Sequence, residues 1–126
     1  MKEVKAYIRV HMLERVIRSL EEAGFTDVTI ADLRAVRQGL REEDLHYSIE
    51  IADRYMNVAE LALVVASRDV ATVVRIICER ARTGEKGDGL IYVSPVEHAV
   101  HIRTGVSGEG AVESACVSGD DEPQKQ

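Results

Sequence analysis

An α+β domain is predicted, with two β-α-β halves sharing one antiparallel sheet and both helices on one face. Three observations support it. Hydrophobic periodicity switches along the chain between about 2 and about 3.6, the signatures of strand and helix. The switch occurs twice in the same order. The two passes are of similar length and are separated by a charged stretch with no clean period.

Residues 3–10 alternate, with Val4, Ala6, Ile8 and Val10 on one side and Lys5, Tyr7 and Arg9 on the other, which predicts a half-buried strand. From residue 12 to 23 the spacing changes. Leu13, Val16, Ile17 and Leu20 recur at three and four residues, opposite Glu14, Arg15, Arg18, Glu21 and Glu22, and Gly24 supplies a stop. Residues 26–36 read as a second strand, where Val28, Thr29 and Ile30 favour extended backbone. Residues 37–57 are dense in charge and read as a long exposed loop, a length that in a compact domain points to function or disorder. Residues 58–66 form a nearly continuous apolar strand. Ser67 is a candidate N-cap, with Asp69 in the first turn, where its charge suits the helix dipole. Val70, Val73, Val74, Ile77 and Ala81 line the face of the second helix. After a glycine-rich turn, residues 90–93 form a short strand, Pro95 interrupts it, and residues 99–102 resume extended structure. The chain from Gly105 onward, rich in Gly, Ser, Asp and Glu, reads as a mobile acidic tail. The expected organisation is one domain over residues 1–105 followed by a flexible tail over 106–126. The β-α-β-β-α-β order is the ferredoxin-like arrangement. Apolar residues on both faces of the third strand suggest that copies of the chain associate.

Composition narrows the function classes. The chain has 126 residues, enough for one hydrophobic core, with 45% apolar and 30% charged residues. A net charge of −6 argues against a general nucleic-acid binder. With no Trp and one Phe, a base-stacking platform is not expected. No apolar run approaches the roughly 20 residues that span a bilayer, so membrane insertion is not expected. Two cysteines, Cys78 and Cys116, are too few for a disulfide framework, and a cytoplasmic location is expected.

The chemistry concentrates in residues 83–93, Thr-Gly-Glu-Lys-Gly-Asp-Gly-Leu-Ile-Tyr-Val. Gly84, Gly87 and Gly89 permit positive φ and leave backbone N–H groups uncovered, a concavity that suits an anion such as phosphate. The run His101-Ile-Arg103-Thr-Gly105 places a fixed positive charge on a strand end. Together they suggest a bound nucleotide. Other candidates are weaker. His98 and His101, three apart on a strand, point to opposite faces and do not converge on a metal. Cys78 reads as a small buried hydrophobe, whereas Cys116 in the tail would be an exposed thiol. Glu42, Glu43 and Asp44 lie in a loop without the fixed geometry that acid–base catalysis requires. No nucleophile–base pair stands out, and no catalytic residue is assigned.

The run from Arg82 through Val93, followed by Val100-His-Ile-Arg-Thr-Gly105, resembles the PII signal-transduction family. Met1-Lys2, Ala23-Gly24, Thr26 and Thr29 also fit, and the resemblance spans about residues 1–105. It implies a homotrimer that binds adenine nucleotide in clefts between subunits. Gly87, Asp88 and Gly89 would wrap the phosphates and Arg103 would add charge-assisted hydrogen bonds, with His101 beside it. Thr29 and Val64 would lie near the base. Arg37 and Gln38 would approach the phosphates from the neighbouring subunit, and the loop 37–57 would dock on a regulated partner, a transporter or a metabolic enzyme.

Departures from the family refine the expectation. Leu90 and Val58 stand where the family has lysine, and His101 replaces the first of two arginines. Each lost cation removes a partner for a terminal phosphate, so ADP or AMP is expected over ATP. The Arg37-Gln38-Gly39 run sits one residue out of register, which puts magnesium-dependent binding of 2-oxoglutarate in doubt. Ile51 occupies the place of the modifiable tyrosine, with Tyr47 and Tyr55 nearby, so uridylylation is not expected. The pattern is similar to the divergent PII-like branch. Two alternatives from other classes are a constitutive trimeric interaction protein with a decayed nucleotide site, and a weak nucleotide hydrolase.

Overall fold

A computed structural model describes residues 1–36, 55–108 and 110–112, with the side chains of 35–36 and 55–57 excepted. Its elements are β1 (Lys2–Arg9), a 3-10 turn (Val10–Met12), α1 (Leu13–Glu22), β2 (Thr29–Val36), β3 (Tyr55–Val65), a second 3-10 turn (Ser67–Asp69), α2 (Val70–Ala81) and β4 (Leu90–Pro95). The four strands form one sheet in the order β2-β3-β1-β4, and every pairing is antiparallel. This is the predicted ferredoxin-like arrangement.

Alternation along β1 decides which face is covered. Val4, Ala6 and Ile8 are buried and lie opposite Leu63, Leu61 and Ala59 of β3. Val16 and Leu20 of α1 and Val73, Ile76 and Ile77 of α2 close over that face. Leu20, Leu61, Ile77, Val4, Val16, Val65 and Val73 are the largest fully buried side chains, each contributing about 1.5–3 kcal/mol of burial. The other face carries Lys5, Tyr7, Glu60, Ala62, Val64 and Tyr92. On it Lys5 and Glu60 form a 3.8 Å ion pair, and the rings of Tyr7 and Tyr92 meet edge to face at 5.8 Å.

α1 ends in a Schellman motif. Phe25 N–H donates to the Leu20 carbonyl at 2.8 Å, Gly24 N–H donates to Glu21 at 3.0 Å, and Gly24 has φ +96°. The motif turns Phe25 into the core, where it is buried.

Several boundaries differ from expectation. Val10 continues the alternation in sequence, yet it begins the 3-10 turn and is 40% exposed. β2 starts at Thr29 rather than residue 26, because the chain leaving the Schellman motif must first cross to the sheet edge. β3 begins at Tyr55, so residues 55–57 belong to the strand rather than to the loop; the rest of that loop, 37–54, lies outside the described residues. Ser67 caps nothing: it opens a 3-10 turn whose N-cap is Ala66, without a side-chain bond. Pro95 is the last residue of β4, tolerated because β4 is an edge strand. Cys78 is half-buried rather than fully buried, and Cys116 lies outside the described residues.

The largest change follows β4. Residues 99–102 do not form a strand. Only Val100 bridges, to Ser107, around a tight reversal in which His101 N–H donates to Val106 (2.8 Å) and Gly105 N–H donates to His101 (2.7 Å). Gly105 and Gly108 hold positive φ there, at +75° and +76°, which is how a β-branched run comes to reverse instead of extending. The chain beyond Gly105 is also structured for a stretch: residues 110–112 are helical, and Ala111 and Val112 are buried. Among the described residues, no helix is long and apolar enough to cross a membrane.

Candidate functional site

Residues 83–89 link the end of α2 to β4 and lie against the end of β1. Gly89 has φ +106°, and a Cβ placed there would sit 1.7 Å from the Tyr7 carbonyl oxygen. Glycine at 89 is therefore required twice, by its dihedral and by the close approach of β1. Gly87 (φ +95°) and Gly84 (φ +88°) need glycine for the dihedral, and the space around Gly84 is open.

The loop is held by its own aspartate. The Asp88 carboxylate accepts from the backbone N–H groups of Thr83 and Gly84, both at 2.9 Å, and from the Thr83 hydroxyl. Arg9, the last residue of β1, donates through Nε to Asp88 Oδ1 at 3.1 Å and through Nη2 to the Lys86 carbonyl at 2.7 Å. The Thr83 hydroxyl and backbone N–H, the Gly84 N–H and the Arg9 guanidinium hold the Asp88 carboxyl well below the usual carboxylate range.

This arrangement narrows the anion-binding reading of the sequence. The N–H groups of residues 83 and 84 already serve Asp88, so an exogenous anion would have to use the second half of the loop, residues 87–89. The Asp88 side chain is a clasp, and any direct role for this residue falls to its backbone N–H.

The remaining candidates gather elsewhere. Thr29, Val64 and His101 line one cavity of about 330 Å³, together with Glu3, Asp27 and Val112. Val64 is paired with Glu3 near the start of β1, whereas the Gly loop meets β1 at Tyr7 and Arg9. Six residues of strand separate Glu3 from Arg9, roughly 20 Å at 3.3 Å per residue. The two groups of candidates thus occupy opposite ends of one protomer. Arg103 lies in the exposed turn after Val100, not on a strand end as expected. Arg37 and Gln38 lie outside the described residues. The His101 Nδ1 is buried with no hydrogen-bond partner, which leaves a polar atom at the cavity for a ligand to satisfy. Of the two absent lysines, the position after Gly89 is open to solvent, with Leu90 62% exposed.

A second cavity, about 280 Å³, lies between α2 and the β1–β4 edge, lined by Ile8, Ile77, Cys78, Asp88, Gly89 and Leu90 among others. Among the described residues no cluster of three or more His, Cys, Asp or Glu is placed to hold a metal.

Sequence reasoning assigned no role to Arg9 or Thr83 and did not place Glu3 and Asp27 at the cavity. Arg9 had only its place on the polar side of an alternating strand to mark it, and only the folded register brings the end of β1 beside residues 86–88.

Comparison with known proteins agrees with this architecture. The family model described as nitrogen regulatory protein P-II matches residues 1–106. The chain is 38% identical over 118 residues to nitrogen regulatory protein P-II 2 of Methanothermobacter thermautotrophicus, covering 89% of this chain and 97% of that protein. It is 36% identical over 112 residues to the P-II protein of Microchaete diplosiphon, covering 89% of this chain and 100% of that protein. The crystal structure of Arabidopsis thaliana PII bound to citrate superposes with a TM-score of 0.73 at 31% identity, over 95% of this chain and 94% of that one. With a family match over residues 1–106 and the same four-stranded architecture, the chain belongs to the nitrogen regulatory protein P-II family of signal-transduction regulators.

Proposed function

We propose that the protein is a homotrimeric sensor of adenine nucleotide, with ADP or AMP preferred to ATP, that controls a partner protein through residues 37–57. The observation that carries this reading is the division of the candidate residues between two ends of the protomer. The Gly loop at the C-terminal end of β1 offers an anion site. The Thr29–Val64–His101 cavity at the other end offers a half-apolar wall without a phosphate cradle. A ligand that needs both is served when one copy supplies the loop and its neighbour supplies the cavity, which a closed ring of three copies does three times over.

In that arrangement the N–H groups of residues 87–89 take the phosphates, and Arg103 and His101 approach them from the adjacent copy. Leu90 supplies no charge beside the loop, and Val58 supplies none at the open-face position paired with Arg9. A third phosphate therefore gains little, which is the physical basis for preferring ADP or AMP. Binding changes the partner-facing segment through differential contacts with its two states, and no covalent bond needs to form or break. The partner is a transporter or a metabolic enzyme of nitrogen or carbon assimilation, and the setting is cytoplasmic. The Arabidopsis relative was solved with citrate, so citrate and 2-oxoglutarate, with and without magnesium, belong in the same titrations as second ligands.

Isothermal titration of the full-length protein with ADP, AMP and ATP is the test. Saturable heat with ADP or AMP, and weaker binding of ATP, is expected. No heat with any of the three would leave a constitutive interaction protein as the better reading, and phosphate release in the presence of magnesium would favour a hydrolase.

A further inference from the structure

We infer that Arg9 is the positioning residue that aims the Gly87 amide at the bound anion. The inference rests on the reading of residues 87–89 as the phosphate site.

Arg9 ends β1, so its backbone is fixed by the sheet; it pairs with Val58 across the strand. Its side chain is only 13% exposed, and its planar fork makes two bonds to the loop. One, from Nε to Asp88 Oδ1 at 3.1 Å, ties the loop's own clasp to the sheet. The other, from Nη2 to the Lys86 carbonyl at 2.7 Å, determines direction. In a trans peptide the C=O and the following N–H lie in one plane and point in opposite directions. The carbonyl of residue 86 and the N–H of residue 87 belong to the same peptide plane. Holding that carbonyl toward Arg9 therefore turns the Gly87 N–H away from Arg9.

A fixed direction matters here because the loop is built on three glycines. Gly84, Gly87 and Gly89 all sit at positive φ, where glycine has no side chain to restrict rotation. The Asp88 clasp reaches back to residues 83 and 84. Arg9 can serve both acceptors at once because guanidinium presents its donors in a rigid fork. The ammonium of lysine, a point charge on a flexible stem, does not reproduce that geometry. Arg9 thus acts through the loop rather than by touching the ligand.

The variants Arg9→Gln and Arg9→Lys test this in the full-length protein. ADP is titrated by calorimetry, and the Gly87 amide is followed by ¹H–¹⁵N NMR with and without ligand. Arg9→Gln is expected to weaken ADP binding on the order of tenfold, in line with loss of the charge-assisted hydrogen bonds that fix the loop. Arg9→Lys, which keeps the charge, is expected to restore less than half of that loss, and the Gly87 amide resonance should move in both ligand-free variants. Wild-type affinity in Arg9→Gln, or full restoration by lysine, would overturn the positioning role; the second result would mean that charge alone matters. If the wild-type protein gives no heat with ADP, the nucleotide reading fails. The clamp is then still decided by the ligand-free Gly87 resonance: movement in both variants supports it, and an unchanged resonance refutes it.

Discussion

Replacing Gly89 by alanine probes the tightest point of the candidate site. Its cost has two parts. A Cβ at 89 would lie 1.7 Å from the Tyr7 carbonyl oxygen and 2.9 Å from the Tyr7 carbonyl carbon, both backbone atoms that cannot rotate away. Ordinary carbon–oxygen contact is about 3.3 Å, so β1 and the loop must separate by roughly 1.6 Å. That is enough to break the first ladder bond where Tyr7 pairs with Leu90, a loss of about 1 kcal/mol. Holding a non-glycine residue at φ +106° costs about 1–3 kcal/mol more. The sum is about 3 kcal/mol, a large share of the roughly 5–15 kcal/mol that stabilises a domain. Gly84→Ala is the internal control, because φ there is +88° but nothing lies within 4 Å of the added carbon. Only the dihedral term applies, about 1–3 kcal/mol, so the loss should be smaller than for Gly89→Ala by the broken ladder bond, about 1 kcal/mol. Urea denaturation of both variants at one fixed protomer concentration measures the difference. Equal losses in the two variants, or less than about 1 kcal/mol for Gly89→Ala, would refute the claim that β1 passes against the loop at residue 89.

Two further outcomes follow from the loop and its surroundings. The folded Asp88 carboxyl lies below its unfolded value, so its contribution is present above the ordinary carboxylate range and is lost as pH falls through that range and below. Protection of the Thr83 and Gly84 amides from exchange, corrected for intrinsic rate, should therefore be flat from about pH 5 to 8 and decline only below about pH 4; a decline between pH 6 and 8 would contradict the clasp. Leu90→Lys restores a cation at an exposed position beside Gly89, and it should tighten ATP relative to ADP by several-fold, about 1 kcal/mol for a partly exposed charge pair. An unchanged ATP-to-ADP ratio would show that residue 90 does not face the terminal phosphate.

Much of the fold was legible because burial imposes period. Val4, Ala6 and Ile8 in β1, and Leu13, Val16, Ile17 and Leu20 along the first helix, alternate or recur as their elements require, and all of them lie in or against the core. The errors arose where local pattern and chain path part company. Val10 keeps the two-residue rhythm, but the chain has already turned toward the helix layer. Residues 99–102 look extended by propensity, yet Gly105 and Gly108 provide the left-handed dihedrals that fold them back. Ala111 and Val112 sit among small and acidic residues, and no local pattern marks them as buried. The glycine spacing marked the turn between α2 and β4, where Gly84, Gly87 and Gly89 all hold positive φ. It could not reveal that an aspartate within the loop takes the first two amides, because an aspartate in a turn looks the same in sequence whether it faces solvent or its own backbone. Arg9 was invisible for a related reason: its partners lie 77 and 79 residues away in the chain, and only the β1–β4 register brings them together.

The proposed binding site is shared, with the Gly loop of one copy facing the Thr29–Val64–His101 end of the next. Mixed trimers test it directly. Gly87→Val damages the loop half and Arg103→Ala the opposite half, and each variant alone should lose ADP binding. When the two variants are unfolded together and reassembled at equal ratio, random mixing leaves about a quarter of the interfaces with both halves intact. About a quarter of the wild-type ADP capacity should therefore return, at wild-type affinity, in calorimetry of the mixture. No recovery of high-affinity sites, with trimers confirmed to have exchanged subunits, would contradict it.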